Sequence, residues 1–231
     1  MTVFTFIPAR GGSARIPSKN LAEVGGYSLV RRACDCAWEA WPIDGPDPTV
    51  IVSTDSDEVA RAINDVADIH HRPESLAGAH SQIEEALAHW LHRCDPVLDD
   101  EDVLCLLQPT SPFRQPATVR ECVRLVELGY DSATCVVLDS RNTGRMRSHV
   151  DGVLQTHWNR PITSRPRSQE ARRHVIESGL CWAFSVRHFR ETKLRQGGRE
   201  ALVETSWLEA FEIDTPEDLA VARALVGVAG E

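Results

Sequence analysis

Short runs rich in β-branched and aromatic residues alternate along this chain with stretches of helical periodicity, and that rhythm admits few architectures. Residues 2–7, 49–53, 103–107, 132–138, 180–185 and 208–213 read as strands. Between them, residues 29–38, 57–64 and 81–93 and the segments opening at Pro116 and Pro216 read as helices. Strands separated by a helix are joined by crossovers, so they pair parallel and bury both faces. The expectation is an α/β protein with a mostly parallel, doubly wound, Rossmann-like sheet.

The local signals agree with that plan. Ser28 is placed to cap the first helix, and acidic residues crowd the first turn of the 57–64 helix, where the dipole favours them. Ser81-Gln82-Ile83-Glu84 has the form of a capping box. In the helix from Pro116, Val119, Cys122, Val123 and Val126 recur on one face. Thr215-Pro216-Glu217-Asp218 opens the last helix with proline at its first position. At 231 residues the expectation is one domain over 1–231. From about 139 to 175 the alternation stops and arginine, proline and tryptophan take over, which reads as an inserted arm.

Charge and cysteine usage narrow the function classes. The net charge is −9, yet residues 141–199 hold thirteen basic residues against four acidic ones. An acidic protein with one cationic stretch is poorly suited to wrapping a nucleic-acid backbone but can focus a small anion; the bland reading is a solvated or subunit-contact surface. No apolar run reaches membrane-spanning length, and no secretion signal is evident at residues 1–10, so a cytoplasmic protein without membrane contact is expected. Seven cysteines form no C-x-x-C pair, which points to reduced core thiols. His89 and His92 lack a third ligand nearby and read as surface residues; His70-His71 beside Arg72 could meet a phosphate, and a strand end explains them equally well; Trp158, Trp182 and Trp207 read as core or subunit-contact residues.

The chemistry concentrates in the loop Pro8-Ala9-Arg10-Gly11-Gly12-Ser13-Ala14-Arg15-Ile16-Pro17-Ser18-Lys19-Asn20, which directly follows the first strand. Glycines let the backbone approach a phosphate and expose amides, while Arg10, Arg15 and Lys19 offset its charge. The G-K-[ST] ending of a Walker loop and the G-x-G-x-x-G of a dinucleotide fold are both absent. A second candidate is Gln108-Pro109-Thr110-Ser111-Pro112, at the carboxyl end of an apolar strand, where open α/β sheets place ligands.

The loop resembles the P-A-R-G-G-S-K-G-I-P-x-K-N signature of the acylneuraminate cytidylyltransferases, which make CMP-activated nonulosonic acids. Ile51-Val52-Ser53-Thr54-Asp55-Ser56 is similar to that family's V-S-T-D-S segment, Leu106-Leu107-Gln108-Pro109-Thr110-Ser111-Pro112 to its L-L-Q-P-T-S-P, and Asp214-Thr215-Pro216-Glu217-Asp218 to its D-T-P-E-D. The resemblance implies a nucleotidyltransferase fold in which Arg10, Gly11, Gly12, Ser13, Lys19 and Asn20 hold CTP while Arg72 and Ser81 lie at the cytosine. It implies catalytic roles for Arg10, Lys19 and Gln108, transfer of CMP to a small anionic acceptor with release of pyrophosphate, and a homodimer joined through the arm.

Metal and acceptor binding fall to residues that depart from the family pattern. Glu212 and Asp214, alternating along an expected strand end, would put two carboxylates on one side for Mg²⁺; the family has aspartate at the first of these positions. Acceptor contacts are expected from Gln108, Arg167, Gln169 and Arg173, the last three in a segment that differs from the family's R-R-Q-D-x-P-x-x-Y-x-E-N-G. Lost polar groups and added arginines there keep a small phosphonate open beside a nonulosonic acid as the acceptor. A non-catalytic nucleotide-binding module, or a nucleotidyltransferase that uses another base, also fits the loop.

Overall fold

The computed structural model describes residues 1–41, 48–94, 98–139, 147–150, 153–156 and 174–228. In chain order, β1 (Val3–Pro8) leads through a long loop to the small antiparallel pair β2 (Glu23–Val24) and β3 (Tyr27–Ser28). Next come α1 (Leu29–Glu39), β4 (Thr49–Thr54), α2 (Asp57–Ile63), β5 (Asp68–His71) and α3 (Ile83–Leu91). β6 (Val103–Leu106), α4 (Pro116–Glu127), β7 (Ser132–Asp139), β8 (Arg147–Val150) and β9 (Val153–Thr156) follow. The chain continues with β10 (His174–Ser185), α5 (Val186–Thr192), β11 (Glu200–Glu204) and α6 (Pro216–Leu225).

Seven of these strands form one sheet in the order β11-β7-β10-β6-β1-β4-β5. Only β10 runs against its neighbours β6 and β7; the other four pairings are parallel. Period-two alternation sends β1 side chains to two separate cores. Val3 and Ile7 join Val30, Ala33 and Ala37 of α1 and Val119, Cys122, Val123 and Val126 of α4 on one face. Phe4 and Phe6 join Ala86, Leu87 and Trp90 of α3 and Phe189 of α5 on the other. With helices on both faces the sheet is doubly wound, as its sequence rhythm requires. Phe6 is fully buried, and burial of a side chain that size contributes about 2–3 kcal/mol.

All seven cysteines are free, and six are buried. Burial pushes the Cys34 thiol up to about 12 and Cys36 to about 11, so both pack as protonated apolar groups. No helix among the described residues is long and apolar enough to cross a membrane.

Local expectations that fare well are those with a named cap. The Ser28 hydroxyl accepts from Arg31 N at 3.3 Å, and Thr215 and Asp218 form a reciprocal box at the start of α6. Others shift. The box at α3 sits one residue later than Ser81 to Glu84: Glu85 accepts from Gln82 N at 3.1 Å, while Glu84 instead meets Arg195 at 2.6 Å.

Residues 208–213 are not a strand. Ala210 N donates to Ser206 O and Phe211 N to Leu208 O in turns, while Ile213 N reaches Thr110 O, so no ladder forms. Leu208, Phe211 and Ile213 pack with Ile16, Leu29, Phe113 and Leu219 in a third small core beneath α6. The edge strand is β11 instead, whose Ala201 and Val203 face the sheet's core while Glu200, Leu202 and Glu204 face outward. Within the segment expected to be an inserted arm, β8 and β9 pair as an antiparallel hairpin.

Candidate functional site

The long loop after β1 folds back on itself at the carboxyl edge of the sheet. Asn20, buried, donates from Nδ2 to Arg10 O at 2.8 Å and ties the two ends of the loop together. Ser18 sits in the left-handed region at φ 48°, which lets the chain reverse into the short 3₁₀ turn Lys19–Leu21. Gly11 donates its amide to Asp55 Oδ1 at 2.8 Å, and a Cβ there would stand 2.7 Å from Ser56 Cβ. The loop therefore rests directly on the first turn of α2. Ile16 in the third core anchors its far side against Ile213.

These constraints shape a cleft of about 350 Å³ between the loop, the Leu76–Ser81 segment, the Gln108–Thr110 turn and Asp214. Arg10, Gly12, Ser13, Lys19, Asn20, Arg72 and Ser81 all line it, as do Arg15, Gln108 and Asp214. Gly11 does not, because its amide is turned to Asp55. Four cations thus line the cleft, and among the described residues the one carboxylate in the lining is Asp214. A larger groove of about 1030 Å³ runs along α1, but its Arg31 is already paired with Asp35 at 2.8 Å and Asp65 at 3.1 Å.

Each cation is held differently. Arg10 Nη1 donates to Gly78 O at 2.7 Å and so spans the mouth between the loop and the Leu76–Ser81 segment. Lys19 Nζ donates to Ile213 O at 3.0 Å and to Asp214 Oδ1 at 3.3 Å. Arg15 lies 3.8 Å from the other oxygen of Asp214. Asp214 is half-exposed, so these pairs are worth at most about 1 kcal/mol and their partners remain able to meet a ligand. Arg72, 8% exposed, is anchored by Nε to Ser53 Oγ at 3.0 Å and by Nη2 to Ser53 O at 2.9 Å.

The two expected metal carboxylates part company. Glu212 accepts from Gly179 N at 2.5 Å and does not line the cleft; a Cβ at Gly179 would collide with this carboxylate. Burial raises the Glu212 pKa, with the nearby Asp214 charge adding to it against the Gly179 hydrogen bond. Among the described residues no group of three or more His, Cys, Asp or Glu is placed to hold a metal. A lone accessible carboxylate beside cations nevertheless fits Mg²⁺, which takes one or two carboxylates and completes its shell with waters and phosphate oxygens. Of the expected acceptor contacts, Gln108 lines the cleft, while Arg167, Gln169 and Arg173 lie outside the described residues.

Some residues that build the site have no role assigned from the sequence, even where, as with Asp55, Ser56 and Thr110, they fall in the segments that carry the resemblance. Arg114, buried, donates from Nε to Leu180 O at 2.7 Å and from Nη2 to Gln108 O at 2.5 Å, bracing the turn that carries Gln108 against β10. Asp55 and Ser56 seat the loop, and Thr110 O receives the Ile213 amide at 2.8 Å, bringing the Asp214 segment alongside Gln108. His89 is not a plain surface residue, since its Nδ1 lies 2.9 Å from Nε2 of His70.

The chain's relatives agree with the geometry. A family model described as Cytidylyltransferase matches residues 4–228. N-acylneuraminate cytidylyltransferase A of Danio rerio is 29% identical over 97% of this chain, which spans half of that protein. CMP-N,N'-diacetyllegionaminic acid synthase of Legionella pneumophila is 33% identical over 98% of this chain and 97% of its own length. Among solved structures, CMP:2-keto-3-deoxy-manno-octonic acid synthetase complexed with CTP superposes with a TM-score of 0.68 at 19% identity, covering 99% of both chains; at that identity the likeness speaks for the fold. With a model laid over all but its ends and a relative of matching length at one-third identity, the chain belongs to the cytidylyltransferase family.

Proposed function

We propose that this protein transfers CMP from CTP to a small acidic acceptor of the nonulosonic type and releases pyrophosphate. The observation that carries the reading is the cleft itself: Arg10, Arg15, Lys19 and Arg72 facing one accessible carboxylate, Asp214. A triphosphate matches that charge pattern, and the preorganised loop would hold it without rearrangement.

In this scheme an acceptor oxygen forms a bond to the α-phosphorus while the bridging oxygen to the β-phosphorus leaves with its electron pair. Arg10 and Lys19 stabilise the charge that gathers on the departing pyrophosphate. Arg72 and Ser81 hold the nucleoside end, and Gln108 orients the acceptor across the α-phosphorus, so that most of the acceleration comes from alignment. Asp214 would hold Mg²⁺ together with the nucleotide's own phosphate oxygens, and the ion supplies further neutralisation of the leaving group. Glu212 braces Gly179 and leaves that ligand role to Asp214. Where the attacking oxygen is a hydroxyl of the acceptor, its proton passes to solvent as the new bond to phosphorus forms; an attacking oxygen that is itself ionised at neutral pH, as in a phosphonate, needs no base.

The segment between β7 and β10 is taken as the contact for a second copy of the chain. Val175 and Ile176 at the start of β10 are 48% and 39% exposed, and Leu202 on β11 is 56% exposed, which leaves apolar surface for such a partner. Sedimentation as a monomer at micromolar concentration would contradict the dimer. The activity is tested by pyrophosphate release with each of the four NTPs and Mg²⁺ against nonulosonic acids, Kdo and small phosphonates. Release with CTP and a nonulosonic acid is expected; release only with another base, or with no acceptor at all in the panel, sinks the proposal.

A further inference from the structure

Behind the cleft wall runs a hydrogen-bonded chain that the transfer scheme leaves unused. Ser53 on β4 and His70 on β5 are register partners, and Ser53 Oγ lies 2.9 Å from His70 Nδ1. His70 Nε2 in turn lies 2.9 Å from Nδ1 of His89 on α3. The same Ser53 hydroxyl accepts from Arg72 Nε, and the Ser53 carbonyl accepts from Arg72 Nη2. Ser53 is fully buried, and His70, like Arg72, is 8% exposed.

The guanidinium is a rigid fork with five donors, so fixing its Nε and Nη2 edge fixes the plane in which the remaining donors face the cleft. Both anchors are oxygens of one serine. The carbonyl is held by the strand, but a hydroxyl that accepts from Arg72 keeps a proton of its own, and an acceptor beyond it decides where that proton points. His70 protonated on Nε2 provides the acceptor: Ser53 Oγ–H donates to Nδ1, and Nε2–H donates to His89 Nδ1. Burial, reinforced by the neighbouring His89 and Arg72, pushes the His70 imidazole down to about 4, which keeps it neutral as this arrangement needs.

We infer that His70 is a positioning residue for nucleotide binding, acting through Ser53 to orient the Arg72 guanidinium toward the nucleoside end of CTP. The inference rests on the reading of Arg72 as a nucleotide-binding residue. A bystander role as packing against Phe6, whose ring centroid lies 6.2 Å away, makes a different forecast, because an apolar ring would fill it as well.

Three variants separate these two roles, read by CTP titration calorimetry and by steady-state kinetics. His70→Phe keeps the bulk and deletes both ring nitrogens; His70→Asn keeps one polar atom within reach of Ser53; Arg72→Ala removes the group being positioned. The expected result is a 5- to 10-fold rise in Kd and KM for CTP in His70→Phe with kcat within twofold, and a shift below threefold in His70→Asn. Equal effects of Phe and Asn, or a fall in kcat at unchanged KM, overturn the inference. Arg72→Ala weakened while His70→Phe binds normally overturns it alone; Arg72→Ala binding CTP like the parent overturns the nucleotide role of Arg72 as well. Should His70→Phe not fold, His70→Leu, which likewise deletes both ring nitrogens, carries the same expected rise in Kd, and its binding CTP like the parent overturns the inference.

Discussion

Adjacent glycines in the loop after β1 give a direct test of how the cleft is built. A Cβ at residue 11 would lie 2.7 Å from Ser56 Cβ, about 1 Å inside ordinary carbon contact, whereas a Cβ at residue 12 meets nothing within 4 Å. Ser56 cannot retreat: its hydroxyl caps α2 by accepting from Val59 N at 3.3 Å. In Gly11→Ala the loop must therefore lift, stretching the Gly11 to Asp55 hydrogen bond and displacing Arg10 and Ser13. Overpacking of this kind costs about 1–3 kcal/mol, which for a chain of this size lowers Tm by roughly 4–8 °C at the middle of that range. A 1 Å misplacement of binding groups can cost on the order of 100-fold in turnover, so a fall of at least 10-fold in kcat/KM for CTP is expected. Differential scanning calorimetry and pyrophosphate release measure the two effects, with Gly12→Ala expected to keep Tm within about 1 °C. If Gly11→Ala melts with the parent protein, or if Gly12→Ala melts as low as Gly11→Ala, the seating of the loop on α2 is misread.

Three further perturbations probe separate parts of the molecule. Asp214→Asn removes a half-exposed carboxylate, so stability should change by less than about 1 kcal/mol while CMP transfer falls at least 100-fold; unchanged turnover in the folded variant would remove Asp214 from the reaction. Arg114→Met takes the guanidinium donor from the carbonyls of Leu180 and Gln108, leaving Gln108 O with the 3.4 Å Ser111 amide, and should cost about 1–3 kcal/mol in urea unfolding; a loss below about 0.5 kcal/mol would show that neither bond matters. Because His70 is held near 4 in the fold but titrates at 6.5 when unfolded, the unfolded chain binds the extra proton, and stability is full above pH 6.5 and lost as pH falls toward 4. The parent protein should then lose about 2–3 kcal/mol more than His70→Phe between pH 7 and pH 4, and parallel pH profiles would refute a buried neutral imidazole.

What can be read in the sequence is what neighbouring residues decide. The helix from Pro116 announces its buried face because Val119, Cys122, Val123 and Val126 fall one helical turn apart, and α6 announces its start because Thr215 and Asp218 cap each other within four residues. The loop at 8–20 shows its chemistry because its glycines and cations are contiguous. What cannot be read depends on distant partners. Residues 208–213 have the apolar content of a strand, but the small core under α6 claims Leu208, Phe211 and Ile213, and the ladder position next to β7 goes to β11. β5 shows in the sequence only as a strand end at His70-His71, because Asp68, His70 and His71 make a polar run, and the strand forms where β4 offers its edge. The companion carboxylate to Asp214 follows from two-residue alternation only along a strand; without the strand, Glu212 turns to the Gly179 amide.

That division bears on where specificity can change in such a protein. Lys19 is tied to Asp214 directly and to Ile213 of the third core, Arg10 to Gly78, and Arg72 through Ser53 to the sheet, so the nucleotide half of the cleft is over-determined by contacts far apart in the chain. A substitution there disturbs fold and binding together. Gln108 stands apart: its carbonyl is braced by Arg114, but its side chain meets only Thr110 Oγ1, at 3.4 Å, among the described contacts. A side chain fixed at its root and free at its tip can adapt to different acceptors without loosening the nucleotide. Gln108→Glu and Gln108→Ala should therefore alter KM for the acceptor by about 10-fold or more while KM for CTP stays within about threefold, measured at saturating co-substrate. Equal shifts in both constants would mean that the two halves of the cleft are one unit, and that acceptor choice is made somewhere other than the Gln108 turn.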